Sequence, residues 1–146
     1  MGCAFSLTGF AQGSDVKLDT VNNYNDWGWQ CLVVENSYIQ LVIVPELGGR
    51  VLYYGMPDDE YMWINPDELG KTYDPDVNVN GPWGSSTGYG GYKVWPAPQS
   101  KWNWPPPPHL AWGPYTYTTE AATADSVVLY LRSQVEASLT PGLQMS

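Results

Sequence analysis

The sequence predicts an all-β fold, an antiparallel β-sandwich with long loops rich in tryptophan and proline. Residues that favour strands (Val, Tyr, Trp and Thr) are abundant, whereas strong helix formers are scarce. The 15 glycines and 13 prolines divide the chain into short segments, and 43% apolar residues suffice to fill a core. A length of 146 residues permits one such core.

Paired strands are expected in the first third of the chain. Residues 16–44 follow a strand-like pattern, and its clearest run, residues 38–44, ends at a proline. The Glu-Leu-Gly-Gly segment at 46–49 then leads into a second apolar run at 50–55, which predicts a hairpin or tight corner. A further strand is expected at residues 61–64.

Residues 65–119 have a different composition. Between Asp76 and Glu120 only Lys93 and Lys101 carry a formal charge, yet this segment holds five of the eight tryptophans. Long segments without regular structure are usually binding loops or disordered chain. Disorder would leave much aromatic surface in water, so the sequence favours an ordered, aromatic loop region.

Strand signals return near the C-terminus. Residues 126–135 alternate in a way typical of a strand, and residues 143–146 resemble the first half of another. We therefore interpret residues 16–146 as one β domain and expect it to continue beyond Ser146.

The first residues suggest export. Residues 1–11 are small and apolar and end in Gly-Phe-Ala, which is typical of the tail of a secretory signal peptide without its basic region. This predicts a secreted or periplasmic protein, and a loose N-terminus is the alternative. Without those residues Cys31 is a lone thiol, which favours a buried structural side chain over a nucleophile.

Charge and motifs exclude several classes of function. Fifteen acidic residues against six basic ones give a net charge of −9, so the chain lacks the basic surface that nucleic acids require. No apolar run is long enough to cross a membrane. The sequence contains no His/Cys cluster, no phosphate-binding glycine loop and no dinucleotide fingerprint, so no cofactor is expected.

Two segments carry a resemblance to a known superfamily. Residues 36–41 with Pro-Glu-Leu-Gly-Gly-Arg-Val at 45–51 are similar to the opening hairpin of galactose-mutarotase-like proteins. Gly-Gly-Tyr-Lys-Val-Trp-Pro-Ala-Pro-Gln at 90–99, followed by Trp102, resembles the signature of a bacterial branch, the DUF4380 proteins. The resemblance covers the N-terminal half of such a protein. It implies a β-supersandwich, two large twisted antiparallel sheets with a sugar site on one concave face.

The resemblance also implies an activity. In mutarotases a histidine protonates the ring oxygen of the sugar, and a glutamate removes the proton of the anomeric hydroxyl. His109 is the one histidine and hence the catalytic candidate, although Leu110 follows it where the family has a His-Gly motif. The corresponding glutamate is expected beyond residue 146. The alternative for His109 is a loop residue without a catalytic role.

A sugar site needs aromatic rings for the C–H faces and polar side chains for the hydroxyls. The segment from Lys93 to Trp102 supplies both kinds within ten residues. Loop packing is the alternative for the tryptophans, and a surface ion pair with Glu46 is the alternative for the arginine after the Gly-Gly corner. The candidate ligand-binding residues are Arg50, Lys93, Trp95, Gln99 and Trp102.

One segment has part of a calcium-loop pattern. Asp76, Asn78 and Asn80 alternate before Gly81, as oxygen ligands do in the first half of such a loop. The twelfth position is Thr87 instead of a bidentate glutamate. A polar loop without metal is therefore the alternative.

Together, these features predict a carbohydrate-binding β-supersandwich domain of an exported protein, with a mono- or oligosaccharide as its partner. One alternative is an enzyme, similar to an aldose 1-epimerase or acting on sugars in another way. A second alternative is a secreted structural or interaction module. If the chain ends at Ser146, exposed strand edges favour a homodimer.

Overall fold

Among the described residues, seven strands form two antiparallel sheets. A computed structural model describes residues 15–56, 59–84, 88–123, 125–139 and 142–146. Five strands form one sheet in chain order: β1 (Lys17–Asn22), β2 (Gln30–Glu35), β3 (Gln40–Val44), β4 (Arg50–Met56) and β5 (Asp59–Glu60). The second sheet is a hairpin of β6 (Thr116–Ala122) and β7 (Val127–Arg132). The all-β prediction is confirmed, and the face-to-face sandwich stays a prediction.

Helical structure is confined to single turns. The structure has one four-residue α-helix, α1 (Pro108–Ala111), within the described ranges. Short 3-10 turns occur at Tyr24–Asp26, Pro45–Leu47, Pro66–Glu68, Gly81–Gly84 and Gln99–Lys101. No helix among the described residues is long and apolar enough to cross a membrane.

Two expected strand segments are reduced to single bridges. At residues 61–64, Ile64 alone forms a bridge, with Gly90. Gly90 and Gly91 have φ angles of 85° and 64°, so the segment facing Ile64 leaves the extended region and the ladder cannot lengthen. At residues 143–146, Leu143 pairs with Glu136 and no further pair follows in the described chain.

The corner between β3 and β4 directs a charged side chain inward. After the turn Pro45–Leu47, Gly48 and Gly49 take φ angles of 74° and 64°, a left-handed conformation that favours glycine. The chain then enters β4, where Arg50 pairs with Val44. Arg50 is buried beside the apolar side chains of that face, at 5% exposure. The surface ion pair with Glu46, an alternative from the sequence, does not form.

The core lies between one face of the five-stranded sheet and the long loop that follows it. Cys31, Val42 and Leu52 come from the strands, whereas Tyr89 and Trp112 come from the loop. The loop thus occupies the place of a second layer on this face of the sheet. Indole and phenol rings of the loop cover the apolar face of the sheet, although the described part of the loop forms no sheet there.

Cys31 lies at the centre of this core and is fully buried, as expected for a structural thiol. Burial raises the pKa of the Cys31 thiol to about 11. The other cysteine, Cys3, and the predicted signal-peptide remnant at residues 1–11 lie outside the described residues.

Candidate functional site

The structure divides the predicted ligand-binding residues into two groups. Arg50 and Lys93 lie in the protein interior beneath the Gly-Gly corner. Trp95, Gln99 and Trp102 lie in the loop region, near the surface. The five residues therefore do not form one site.

Arg50 is held by the loop that covers the sheet. Its Nη1 donates to the carbonyl oxygen of Gly90 at 2.8 Å, and its Nη2 to that of Ala111 at 3.4 Å. Its Nε is buried and has no hydrogen-bond partner in the described part of the chain. The guanidinium carbon lies 5.7 Å from the centre of the Tyr89 ring, a cation–π contact.

Lys93 lies in the long loop and reaches the same corner, where its Nζ is close to Gly48. The side chain is 6% exposed, and its Nζ donates to the carbonyl oxygen of Leu110. The Nζ also lies 5.5 Å from the centre of the Tyr115 ring. The Tyr115 hydroxyl donates to the same Leu110 carbonyl at 3.0 Å. Two side chains therefore share one backbone acceptor at the end of α1.

Positive charge accumulates here without a negative counterpart. Neither Arg50 nor Lys93 forms an ion pair with any carboxylate among the described residues. Burial lowers the pKa of Lys93 to about 7, and the Arg50 guanidinium adds to that decrease. Burial also lowers the pKa of Arg50, to about 10, so Arg50 keeps its charge at neutral pH. Of these two side chains, Lys93 is therefore the one that loses its proton near neutral pH.

A cavity of about 240 Å³ lies beside Lys93. Two residues that surround the Nζ, Gly48 and Tyr115, also line this cavity. The remaining wall is mostly apolar and comes from the end of β7, with Leu129 and Leu131, and from the C-terminal segment. Among the described residues that line it, Lys93 alone has a formally charged side chain.

The loop group is organised around Trp83, which the sequence analysis did not select as a site residue. Its ring lies 6.1 Å from that of Trp95, 5.5 Å from Trp104 and 5.4 Å from Trp112. We call these four residues together with Trp102 the tryptophan cluster. Trp112 anchors the cluster in the core, because it is almost fully buried.

The outer side of the tryptophan cluster reaches solvent. Trp95 is 42% exposed and Trp104 is 59% exposed. Trp95 and Trp102 stack nearly parallel, with ring centres 6.0 Å apart and 14° between the planes. The indole Nε1 of Trp102 donates to the carbonyl oxygen of Pro96 at 3.0 Å, which fixes the ring orientation. The hydrogen bond and the stacking contact thus fix the orientation of the Trp95 and Trp102 rings.

A cavity of about 590 Å³ adjoins this stack. Trp102 lines it with Lys101 and Ser138, so an aromatic face and polar groups meet in one depression. Gln99 starts the short turn that contains Lys101 and is exposed to solvent. Sugar-binding sites combine these two kinds of group.

His109 lies in a third place, at the start of α1. Its Nε2 is 3.1 Å from the Oδ1 of Asp76, and its Nδ1 is buried without a hydrogen-bond partner in the described chain. The backbone N–H of His109 donates to the Oε2 of Glu136 at 3.1 Å. Both carboxylates and the imidazole line a cavity of about 400 Å³. A histidine and a glutamate therefore meet in this cavity. The glutamate that the resemblance implies was expected beyond residue 146, so Glu136 is a different residue.

Glu136 is nevertheless extensively bonded within the protein. Its Oε1 accepts from the N–H of Ser138 at 3.1 Å and from the Ser138 hydroxyl at 2.6 Å. The carboxylate is therefore held by three donors and fixes the chain around α1. Any proton transfer by this group would compete with that structural role.

Two of the three predicted calcium ligands, Asp76 and Asn78, make side-chain hydrogen bonds within the protein. The Oδ1 of Asn78 accepts from the N–H of Asp74 at 3.1 Å, while Asp76 contacts His109. Thr87, the residue at the twelfth position, lies outside the described residues. Within the described ranges, no group of three or more His, Cys, Asp or Glu side chains is arranged to hold a metal ion.

Sequence reasoning missed three residues that shape these sites. Trp83 and Tyr115 contact the predicted residues from distant parts of the chain, and Glu136 approaches His109 through a turn after β7. The local signal for Trp83 is its place between proline and glycine in a loop, which gives no indication of its neighbours. No protein-family model, curated protein or solved structure matches the chain.

Proposed function

We propose that this protein binds carbohydrate at the exposed side of the tryptophan cluster. The observation that carries the proposal is the nearly parallel stack of the exposed Trp95 on Trp102, together with a cavity of about 590 Å³ that Trp102 lines. Pyranose rings pack their C–H faces against indole planes, and a rigid aromatic surface lowers the entropy lost on binding.

The polar groups around the stack favour a neutral, hydroxylated ligand. Lys101 and Ser138 line the cavity and supply hydrogen-bond donors, and the exposed Gln99 belongs to the same short turn as Lys101. None of the described residues that line this cavity is acidic. A ligand with many hydroxyl groups therefore finds both an apolar face and partners for its oxygens.

Isothermal titration calorimetry with a panel of neutral mono- and oligosaccharides tests the proposal. We expect saturable binding for at least one sugar, and we expect Trp95→Ala to weaken it about tenfold, or about 1.4 kcal/mol. Trp63→Ala is the matched control, because Trp63 is an exposed tryptophan outside the cluster. Its affinity is expected to equal that of the unmodified protein.

Two results would contradict the proposal. One is the absence of binding to every sugar of the panel by protein that circular dichroism shows to be folded. The other is an equal loss of affinity in Trp95→Ala and Trp63→Ala, since that would show that the loss is not specific to the Trp95–Trp102 stack.

The resemblance to galactose-mutarotase-like proteins supports the same ligand class.

A second candidate function rests on the cavity around His109. It combines an imidazole with the carboxylates of Asp76 and Glu136, the residue types that transfer protons in aldose epimerisation. Polarimetry of freshly dissolved α-glucose and α-galactose tests this activity. A rate above that of buffer which His109→Gln abolishes would support an epimerase, and a rate equal to buffer would exclude it for these sugars.

A further inference from the structure

We propose that the side-chain amine of Lys93 is a nucleophile that condenses with the carbonyl carbon of a small aldehyde in the cavity beside it. The inference goes beyond carbohydrate binding at the tryptophan cluster and does not depend on it, because the two places have different lining residues. It assigns covalent chemistry to a buried group that the proposed function leaves unused.

Three neighbours define the position of the amine. The Nζ donates to the Leu110 carbonyl, lies over the Tyr115 ring, and would be 3.1 Å from a Cβ placed on Gly48. Glycine at position 48 therefore leaves open the space in front of the Nζ. Gly48 and Tyr115 line the cavity together with Lys93, so the amine stands at its wall.

The surroundings of Lys93 disfavour the ammonium form for two physical reasons. The side chain is removed from water without a carboxylate partner in the described chain, and the charged Arg50 lies close enough to oppose a second positive charge. Burial in an apolar pocket and a neighbouring cation are the two ways in which proteins activate a lysine amine. Lys93 has both. At neutral pH a large share of the side chain is thus the free base, because its pKa is about 7.

The neutral amine has the hydrogen bonds that the reaction requires. One N–H remains on the Leu110 carbonyl, which orients the nitrogen and leaves its lone pair for a ligand. The apolar side chains of Leu129 and Leu131 limit the water that would otherwise compete for the carbonyl. The cavity volume of about 240 Å³ suits a compound of a few carbon atoms, such as a short open-chain aldose.

The chemistry balances without a further reactant. The lone pair of Nζ forms a bond to the aldehyde carbon, the C=O π bond breaks, and one amine proton passes to the oxygen to give a carbinolamine. The second amine proton leaves with that hydroxyl group as water, and a C=N double bond forms. The products are one imine on Lys93 and one water molecule, with no change of oxidation state.

Reductive trapping tests the proposal on the full chain. The protein is incubated with glycolaldehyde and sodium cyanoborohydride at pH 7, and each lysine is followed by peptide mapping in a mass spectrometer. An exposed lysine with a pKa of about 10.4 is only about 0.04% free base at pH 7. We expect the hydroxyethyl adduct on Lys93 to form at least ten times faster than on Lys17, an exposed lysine in β1 that serves as the control.

Two further measurements make the result specific. In urea the preference for Lys93 is expected to disappear, because it depends on the folded surroundings. In intact-mass analysis Lys93→Arg is expected to lose the fast lysine adduct and Lys17→Arg to keep it. Peptide mapping separates the α-amino terminus, which also reacts near neutral pH. If Lys93 in the unmodified folded protein reacts no faster than Lys17, the proposal is overturned, while the sugar-binding titration is unaffected.

Discussion

Arg50 and Lys93 bond to consecutive carbonyl groups of the same short helix. The Nη2 of Arg50 lies 3.4 Å from the oxygen of Ala111, and the Nζ of Lys93 donates to that of Leu110. These carbonyls stand at the end of α1, where a helix leaves acceptors without partners of its own. The two side chains donate hydrogen bonds to these carbonyl groups. As a consequence, one basic group from β4 and one from the long loop are held in the same buried place.

This arrangement predicts that stability increases with pH above neutrality. The pKa of Lys93 is lowered from 10.5 to about 7 on folding, so between these values the unfolded chain binds more protons than the folded one. The stability therefore rises as the pH rises from about 7 to about 9, by roughly 2 kcal/mol for this one group. Urea denaturation at several pH values measures the effect.

The matched variants for this prediction are Lys93→Met and Lys101→Met. We expect Lys93→Met to remove most of the increase between neutral and mildly alkaline pH, because no titrating amine remains in the interior. Lys101→Met is expected to retain it, since Lys101 is exposed. The same pH dependence in both variants would show that Lys93 does not cause it.

Gly48→Ala is expected to destabilise the protein more than Gly70→Ala. Both glycines have a left-handed conformation, with φ angles of 74° and 71°. A Cβ at position 48 would lie 2.8 Å from the Ala111 oxygen, whereas at position 70 the nearest atom is 3.8 Å away. Gly70→Ala isolates the backbone cost of about 1–2 kcal/mol. Equal midpoints of urea denaturation would show that close packing at the corner contributes nothing further.

Removing Trp112 is expected to cost much more stability than removing Trp104. Both rings contact Trp83 at similar distances, 5.4 Å and 5.5 Å, but Trp112 is 1% exposed and Trp104 is 59% exposed. We expect Trp112→Ala to lower the free energy of unfolding by about 3–5 kcal/mol, because it leaves a large cavity. Trp104→Ala is expected to cost about 1 kcal/mol or less. Thermal and urea denaturation would contradict this if the two variants were equally stable.

Cys31 is expected to resist thiol reagents in the folded protein. Its side chain is fully buried and its pKa is raised to about 11, so little thiolate forms at neutral pH. In a Cys3→Ser background, which leaves one thiol, we expect at least a hundredfold slower reaction with a disulfide reagent than in urea. Similar rates in both solutions would contradict the burial of Cys31.

The corner at Gly48 and Gly49 shows how far the sequence predicts the fold. A proline that ends one apolar run and two glycines before the next require a turn there, and the structure has one. A further strand was expected at residues 61–64, but within that segment only Ile64 forms a bridge, with Gly90. The length of this pairing depends on Gly90 and Gly91, whose position opposite Ile64 follows from the path of the loop and from no local pattern.

The candidate sites were predictable only where their residues are close in sequence. Trp95 and Trp102 were selected together from one short segment, and they stack in the structure. The contact between His109 and Asp76, and that between Lys93 and the end of α1, join residues from separate turns. Each depends on how a long loop packs on the sheet, which residue types alone do not determine.

The loop that covers the sheet also has a consequence for the rate of folding. Neighbouring strands β1 to β4 pair in chain order, so each needs only a short segment of chain to close. The contacts of Arg50 with Gly90 and Ala111 span 40 and 61 residues. Closing such long segments costs more entropy, and we expect these contacts to form after the strands have paired. The step that buries Arg50 and Lys93 is then a late event in folding. In refolding experiments, tryptophan fluorescence is expected to recover after the circular dichroism signal of the strands.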